Sequence, residues 1–279
     1  MAFRTIVAFI RSVAEAPRIV GTAIQVASAA ERTHVIGLYV IPAPAVYSDP
    51  NGFVDTSLLE SFEQQHRENS QRIEADFREA MRREDMSCDF RIVRSDSGAP
   101  AHGVAASAMR ADLVIAGQVD PTDAATADDS ADALILECGR PVLFVPFGFI
   151  APDKIGRVLI AFNGTREAAR AAFDALPFLV RADSVEIVWV NARDTEDEDA
   201  AIAGSELAET LARHDVKVTT MSMTSHGLPI DEAVRQRALE NADLLVMGAY
   251  GHSRMREMVF GGFTRAILED MPCLTLMSK

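Results

Sequence analysis

Three glycines, Gly248, Gly251 and Gly261, stand in the spacing Gly-x2-Gly-x9-Gly directly after the apolar run Leu244-Leu245-Val246-Met247. Glycine admits positive φ and lets main chain approach a ligand closely, so a strand ending in such a loop can aim several N–H groups at one anion. Thr264 follows with a hydroxyl. The window from His252 to Arg265 holds Arg254, Arg256 and Arg265 against Glu257, a net charge of +2 with histidine neutral. A glycine-rich, locally basic loop of this kind suits a phosphate group. The same residues also fit plain turn glycines and solubilising arginines, or arginines that pair with an acidic neighbour.

Such a loop needs a strand before it and a helix after it, and the chain carries that unit twice. Ala111-Asp112-Leu113-Val114-Ile115-Ala116-Gly117 matches Ala242-Asp243-Leu244-Leu245-Val246-Met247-Gly248 at an offset of 131, and Pro141 and Pro272 differ by the same 131. Upstream, Thr5–Phe9 pairs with Val158–Phe162, and Leu38-Tyr39-Val40 with Val188-Trp189-Val190. The duplication predicts two domains, residues 1–146 and 154–279, joined near Phe147–Asp153. In each, short and almost continuously apolar runs alternate with amphipathic stretches. This is the pattern of an α/β domain whose parallel sheet is covered by helices on both faces.

In the second copy we expect strands at Arg157–Phe162, Ser184–Val190, Lys217–Ser222, Leu244–Met247 and Cys273–Met277. Helices are expected at Arg166–Val180, Asp199–His214, Pro229–Glu240 and Gly262–Asp270. The first copy has a longer helix, Ser57–Arg83, opened by the capping box Ser57-x-x-Glu60 and carrying the broken apolar face Leu58, Phe62, Ile73, Phe77 and Met81. It should lie over the sheet edge. The N-terminal apolar run, broken by Arg4 and stopped by Arg11, reads as a first strand rather than a signal peptide.

Bulk properties narrow the partners. A net charge of −14 disfavours nucleic acid or an anionic membrane surface, since both are polyanions, while leaving room for a small anionic ligand held by a local field. No apolar stretch is long enough to span a bilayer. Cys88, Cys138 and Cys273 show no C-x-x-C spacing, which predicts reduced thiols in a cytoplasmic protein, with Cys273 in the core. The histidines lack ligand spacing, and neither an HExxH nor a G-x-S-x-G motif is present.

The glycine spacing, preceded by Ala-Asp-Leu-Leu-Val-Met, resembles the nucleotide loop of the universal stress protein family, and both copies resemble domains of that family in its tandem arrangement. The resemblance implies two Rossmann-like domains, each a five-stranded, mainly parallel sheet in the order 3-2-1-4-5 flanked by helices. It also implies pairing of the domains through their last strands, Pro141–Val145 and Pro272–Met277. Two chains pairing as a homodimer would extend that arrangement. In ATP-binding relatives the glycine loop and a following hydroxyl hold phosphates, while an Asp after the first strand and main chain after the second hold adenosine. Carried over, Gly248, Gly251 and Gly261 match, Gly262 takes the hydroxyl position, and Asn163 and Val190 take the adenosine positions. His252, Arg254 and Thr264 complete the expected set.

The resemblance thus implies a stress-response protein with one ATP site in the second domain, any Mg²⁺ arriving with the triphosphate. No general base is evident, so the ligand should act as a signal, with hydrolysis slow at most. In the first copy Ile10 stands where the second has Asn163, and Asp120 where it has Gly251. The window Pro121–Leu134 carries a net charge of −4, so this copy should refuse ATP. Asn163 and Gly262 equally fit a second reading, an interaction protein of the same fold that has lost its nucleotide.

Overall fold

The computed structural model describes residues 2–29, 32–44, 56–96, 100–120, 131–148, 154–191, 198–224, 227–250 and 257–279. The chain forms two compact units, Phe3–Cys138 and a second that spans Gly139–Lys279.

The first unit runs β1 (Thr5–Phe9), α1 (Ala16–Ser28), β2 (His34–Ile41), α2 (Thr56–Arg83), β3 (Ser87–Arg94), α3 (Ala101–Ala108), β4 (Leu113–Gly117) and α4 (Ala131–Glu137). Its strands lie in the order β3-β2-β1-β4, all parallel, as the apolar runs require. Ile6, Val7, Ala8 and Phe9 of β1 are fully buried, because a central parallel strand is covered on both faces. The long α2 does lie over the edge pair β2 and β3, where Phe77 packs on Phe90 at a ring separation of 5.5 Å. Only its second half buries the expected face: Ile73, Phe77 and Met81 are buried, whereas Leu58 is exposed. Earlier in the helix His66 reaches the buried Tyr39 hydroxyl at 2.7 Å.

The second unit begins with β5 (Val142–Val145), the last strand of the first sequence repeat. It continues with β6 (Arg157–Ala161), α5 (Arg166–Asp174), α6 (Leu176–Leu179), β7 (Ser184–Asn191), α7 (Glu198–Ala212), β8 (Val218–Thr224), α8 (Ile230–Asn241), β9 (Leu244–Gly248), α9 (Glu257–Glu269) and β10 (Leu274–Ser278). Strands β8-β7-β6-β9-β10 are parallel and reproduce the expected order 3-2-1-4-5. Beside β10, β5 adds antiparallel, with Leu276 opposite Leu143. The single helix expected over 166–180 is divided into α5 and α6. Pro177 has no N–H to donate to the carbonyl four residues back, so the α5 ladder stops short of it. Cys138 and Cys273 are core residues, and burial pushes both thiols up to about 12, so both stay protonated and unreactive.

The repeated Ala-Asp-Leu has a structural cause. Asp112 Oδ2 accepts from the backbone N–H groups of Arg4 and Thr5 at 2.7 and 2.9 Å. Asp243 Oδ2 does the same for Gly156 and Arg157 at 3.0 and 2.8 Å, and its Oδ1 takes Arg157 Nη2 at 2.8 Å. Each aspartate thereby fastens the start of its repeat's first strand to the start of the fourth. Burial pushes the Asp243 carboxyl up, but the Arg157 guanidinium and the two N–H groups outweigh it and leave its pKa below the ordinary 3.8. Such a depressed group stabilises the fold above its unfolded pKa, and the contribution fades as pH falls through the lower folded value. Asp243→Ala should therefore cost about 1.5–3 kcal/mol at pH 7. Urea unfolding from pH 7 to pH 3 should show the variant losing less stability below about pH 4 than the parent.

Candidate functional site

In an open parallel sheet, ligands collect at the carboxyl ends of the strands where the strand order reverses. In the second unit that point lies between β6 and β9, which pair with Ala161 opposite Met247 and lead on to β7 and β10 in opposite directions. Asn163 follows β6 and Gly248 ends β9, so the fold brings two of the expected residues to one junction.

Gly248 is required there. A Cβ at this position would lie 2.3 Å from the backbone nitrogen of Ala168 and 2.5 Å from the carbonyl carbon of Glu167. The first turn of α5 therefore abuts the end of β9 main chain to main chain. Helix α5 is opened by Thr165, in extended conformation, whose hydroxyl accepts from the Ala168 N–H at 3.3 Å. Asn163 Oδ1 in turn accepts from the Thr165 N–H at 3.2 Å and from the Thr165 hydroxyl at 2.8 Å. The chain turns between them at Gly164, with φ +72°, and a Cβ on that residue would meet nothing within 4 Å.

The matching junction of the first unit is filled by charge. Arg11 and Glu15 align with Gly164 and Ala168, and both are buried, with side chains 2% and 4% exposed. Glu15 Oε1 accepts from the Arg11 backbone N–H at 2.5 Å, and Oε2 takes Arg11 Nη2 at 2.9 Å. The same Nη2 donates to the carbonyls of Gly117 and Gln118 at 2.8 and 3.2 Å, at the very end of β4. Arg18 reaches Glu15 at 3.4 Å. Burial lowers the Arg18 pKa and Glu15 opposes it, with Arg11 adding to the depression and Asp120 to the opposition. A Cβ on Gly117 would meet Glu15 Oε2 at 2.5 Å and Arg11 Nη2 at 2.8 Å, whereas the atoms nearest a Cβ on Gly248 are helix backbone. Sequence reading by alignment of glycines misses this cluster. Its signal was an arginine and a glutamate four residues apart at an otherwise apolar strand–helix junction.

Among the other expected residues, Val190 lies near the carboxyl end of β7, opposite Met223 of β8. Gly251, His252 and Arg254 fall outside the described residues. Helix α9 starts at Glu257, five residues before the expected Gly262, so Gly261 and Gly262 lie inside the helix instead of at its open N-terminus. Gly262 is exposed, while Thr264 is only 2% exposed. Two residues apart on a helix means about 200° around its axis, so they cannot face one ligand together. Thr264 is thus buried, on a different side of α9 from Gly262. Among the described residues no cluster of histidine, cysteine and carboxylate side chains is placed to hold a metal, and no helix is long and apolar enough to cross a membrane.

Known proteins share the fold. Residues 154–279 match the model of the universal stress protein family. A universal stress protein of Synechocystis sp. is 32% identical over 149 residues, which cover 52% of this chain and 49% of the relative, about half its length. A universal stress protein from Archaeoglobus fulgidus superposes with a TM-score of 0.73 at 13% identity, covering 99% of this chain and 96% of the other. A Pseudomonas aeruginosa structure gives 0.61 at 15% identity over 100% and 94%. At those identities the two structures speak for the fold alone. Residues 154–279 thus match the universal stress protein family, and the chain as a whole shares the fold of the Archaeoglobus fulgidus universal stress protein.

Proposed function

We propose that the second repeat binds an adenine nucleotide, ATP, at the β6–β9 junction, and that the protein is a cytoplasmic stress-response sensor with one such site per chain. The observation that carries this reading is the difference between the two junctions. At Gly248 a helix start and a strand end meet through bare main chain beside an open Gly164, whereas Arg11, Glu15 and Arg18 fill the first repeat's counterpart.

In the proposed complex, phosphates lie along Gly248, Gly251, Gly261 and the exposed Gly262, with His252 and Arg254 contributing positive charge and any Mg²⁺ carried by the triphosphate. Asn163 and the main chain at Val190 border the adenosine. Turnover is expected well below 1 s⁻¹, on the order of a sensor rather than an enzyme. The competing reading, an interaction protein that has lost its nucleotide, draws support from Asn163 and Gly262, which stand where the resemblance places an aspartate and a hydroxyl.

The chain has one tryptophan, Trp189, buried on β7 beside Val190. Titration of nucleotide-stripped protein with Mg-ATP, followed by calorimetry and by Trp189 fluorescence, should give one equivalent bound per chain. Gly251→Asp, which copies the first repeat's Asp120, should remove binding while leaving the unfolding midpoint in place. No heat at millimolar ATP, or full binding by that variant, would reject the site.

A further inference from the structure

The long helix α2 is held to the sheet in two different ways along its length. Its buried residues begin at Ser70 and continue with Ile73, Phe77 and Met81, so the second half is fixed by apolar packing. In the first half Leu58 is exposed, and Glu63 pairs with Arg94 of β3 through two bonds of 2.7 Å at the surface, where water and salt weaken an ion pair. His66 makes a contact that reaches the core. Its ring lies 4.3 Å from that of Phe62, and its Nδ1 is 2.7 Å from the hydroxyl of Tyr39, a β2 side chain only 1% exposed. The Asn69 amide bonds the same hydroxyl and favours its ionised form, as a donor to the phenol oxygen does. The Tyr39 proton is therefore directed at His66 Nδ1, which must be the unprotonated ring nitrogen. Protonating His66 would set N–H against O–H and take away the acceptor of a buried hydroxyl. The neighbouring charges do not compensate. Burial disfavours the cation, Glu63 on α2 favours it, and Arg94 from β3 opposes it, so the His66 pKa stands below its ordinary 6.5.

We propose that His66 and Tyr39 form an acid-released latch, which holds the first half of α2 on the sheet at neutral pH and frees it when His66 takes up a proton. The freed histidine binds its proton more tightly than the latched one. The latch is therefore fully engaged above about pH 6.5 and weakens by up to about tenfold for each pH unit below it, until the latched histidine also titrates. Arg94 holds the Glu63 carboxyl below its ordinary 4.5, so their ion pair keeps its charge while His66 changes. The latch lies in the first repeat and is independent of nucleotide binding in the second.

Hydrogen exchange along α2, corrected for the intrinsic pH dependence of amide exchange, reads the latch. Between about pH 7.5 and pH 5.5, protection over residues 57–69 of the full chain should fall several-fold, up to about tenfold, while residues 73–83 keep theirs. An NMR titration of the His66 ring should place its pKa below 6.5. Tyr39→Phe removes the hydroxyl, so residues 57–69 should be equally weakly protected at both pH values and the His66 pKa should rise. His66→Gln offers Tyr39 an acceptor that acid does not protonate, so protection should persist at both pH values, an outcome that a purely packing role for the imidazole does not give. A parent protein in which both halves of α2 respond alike to pH overturns the proposal. So does a His66→Gln variant that retains the acid response.

Discussion

Glu15→Ala is expected to destabilise the first repeat by about 3–5 kcal/mol, among the largest effects of any single change in the chain. Removing one partner of a buried ion pair leaves the other charge in a poorly solvated place. Arg11 would keep its bonds to the carbonyls of Gly117 and Gln118, but its guanidinium would lose the carboxylate that neutralises it. Replacing both residues with apolar ones, as in Arg11→Met with Glu15→Leu, should cost clearly less than the single change, because the buried Arg11 charge goes with its partner and only Arg18, with Asp120 nearby, is left to lose a contact. Urea unfolding resolved for the two repeats would check this. A single variant as stable as the parent would mean that water reaches the cluster and solvates Arg11. The double variant also bears on function. It removes the filling of the first junction, but Ile10 and the acidic window remain, so it should not gain ATP binding.

Gly248→Ala should be the most damaging change at the proposed ligand site. The added Cβ would press on backbone atoms of Glu167 and Ala168, which cannot swing aside as a flexible side chain would. Helix α5 would have to move away from β9, on which it packs. Overpacking of this kind costs about 1–3 kcal/mol, and the loss should appear as a lower thermal midpoint for the second repeat. Binding should suffer with it, because the shifted helix carries Thr165 and so moves Asn163. Gly262→Ser is the matched control. A Cβ there meets nothing within 4 Å, and replacing a glycine inside a helix should raise stability by a few tenths of a kcal/mol. If phosphate lies along this face of α9, the new hydroxyl should tighten nucleotide binding. A variant with unaltered affinity would place the phosphates away from Gly262.

The two junctions differ in what lies at the strand end. Both copies keep the aspartate that fastens the first strand, since any sheet of this order needs its central strands aligned. Only the second keeps main chain bare at the strand end. In the first, the same place is closed from within by the side chains of Arg11 and Glu15.

Sequence alone determined the duplication and the α/β class, and the family resemblance supplied the strand order of the second repeat. The first two are written in short-range patterns: apolar runs of strand length, helical periodicity, and a motif recurring at a fixed offset. With that order, Asn163, Val190 and Gly248 fall at the carboxyl end of the sheet, because the order of strands fixes which loops share that end. Tertiary structure decided the rest. Arg11 meets Gly117 across 106 residues of chain, and no local pattern reports such a meeting. Thr264 turns inward because α9 starts at Glu257 and sets it two residues round the helix from the exposed Gly262. Asn163 Oδ1 accepts from both the N–H and the hydroxyl of Thr165 because the chain turns between them at Gly164, and that is a property of geometry rather than of residue type.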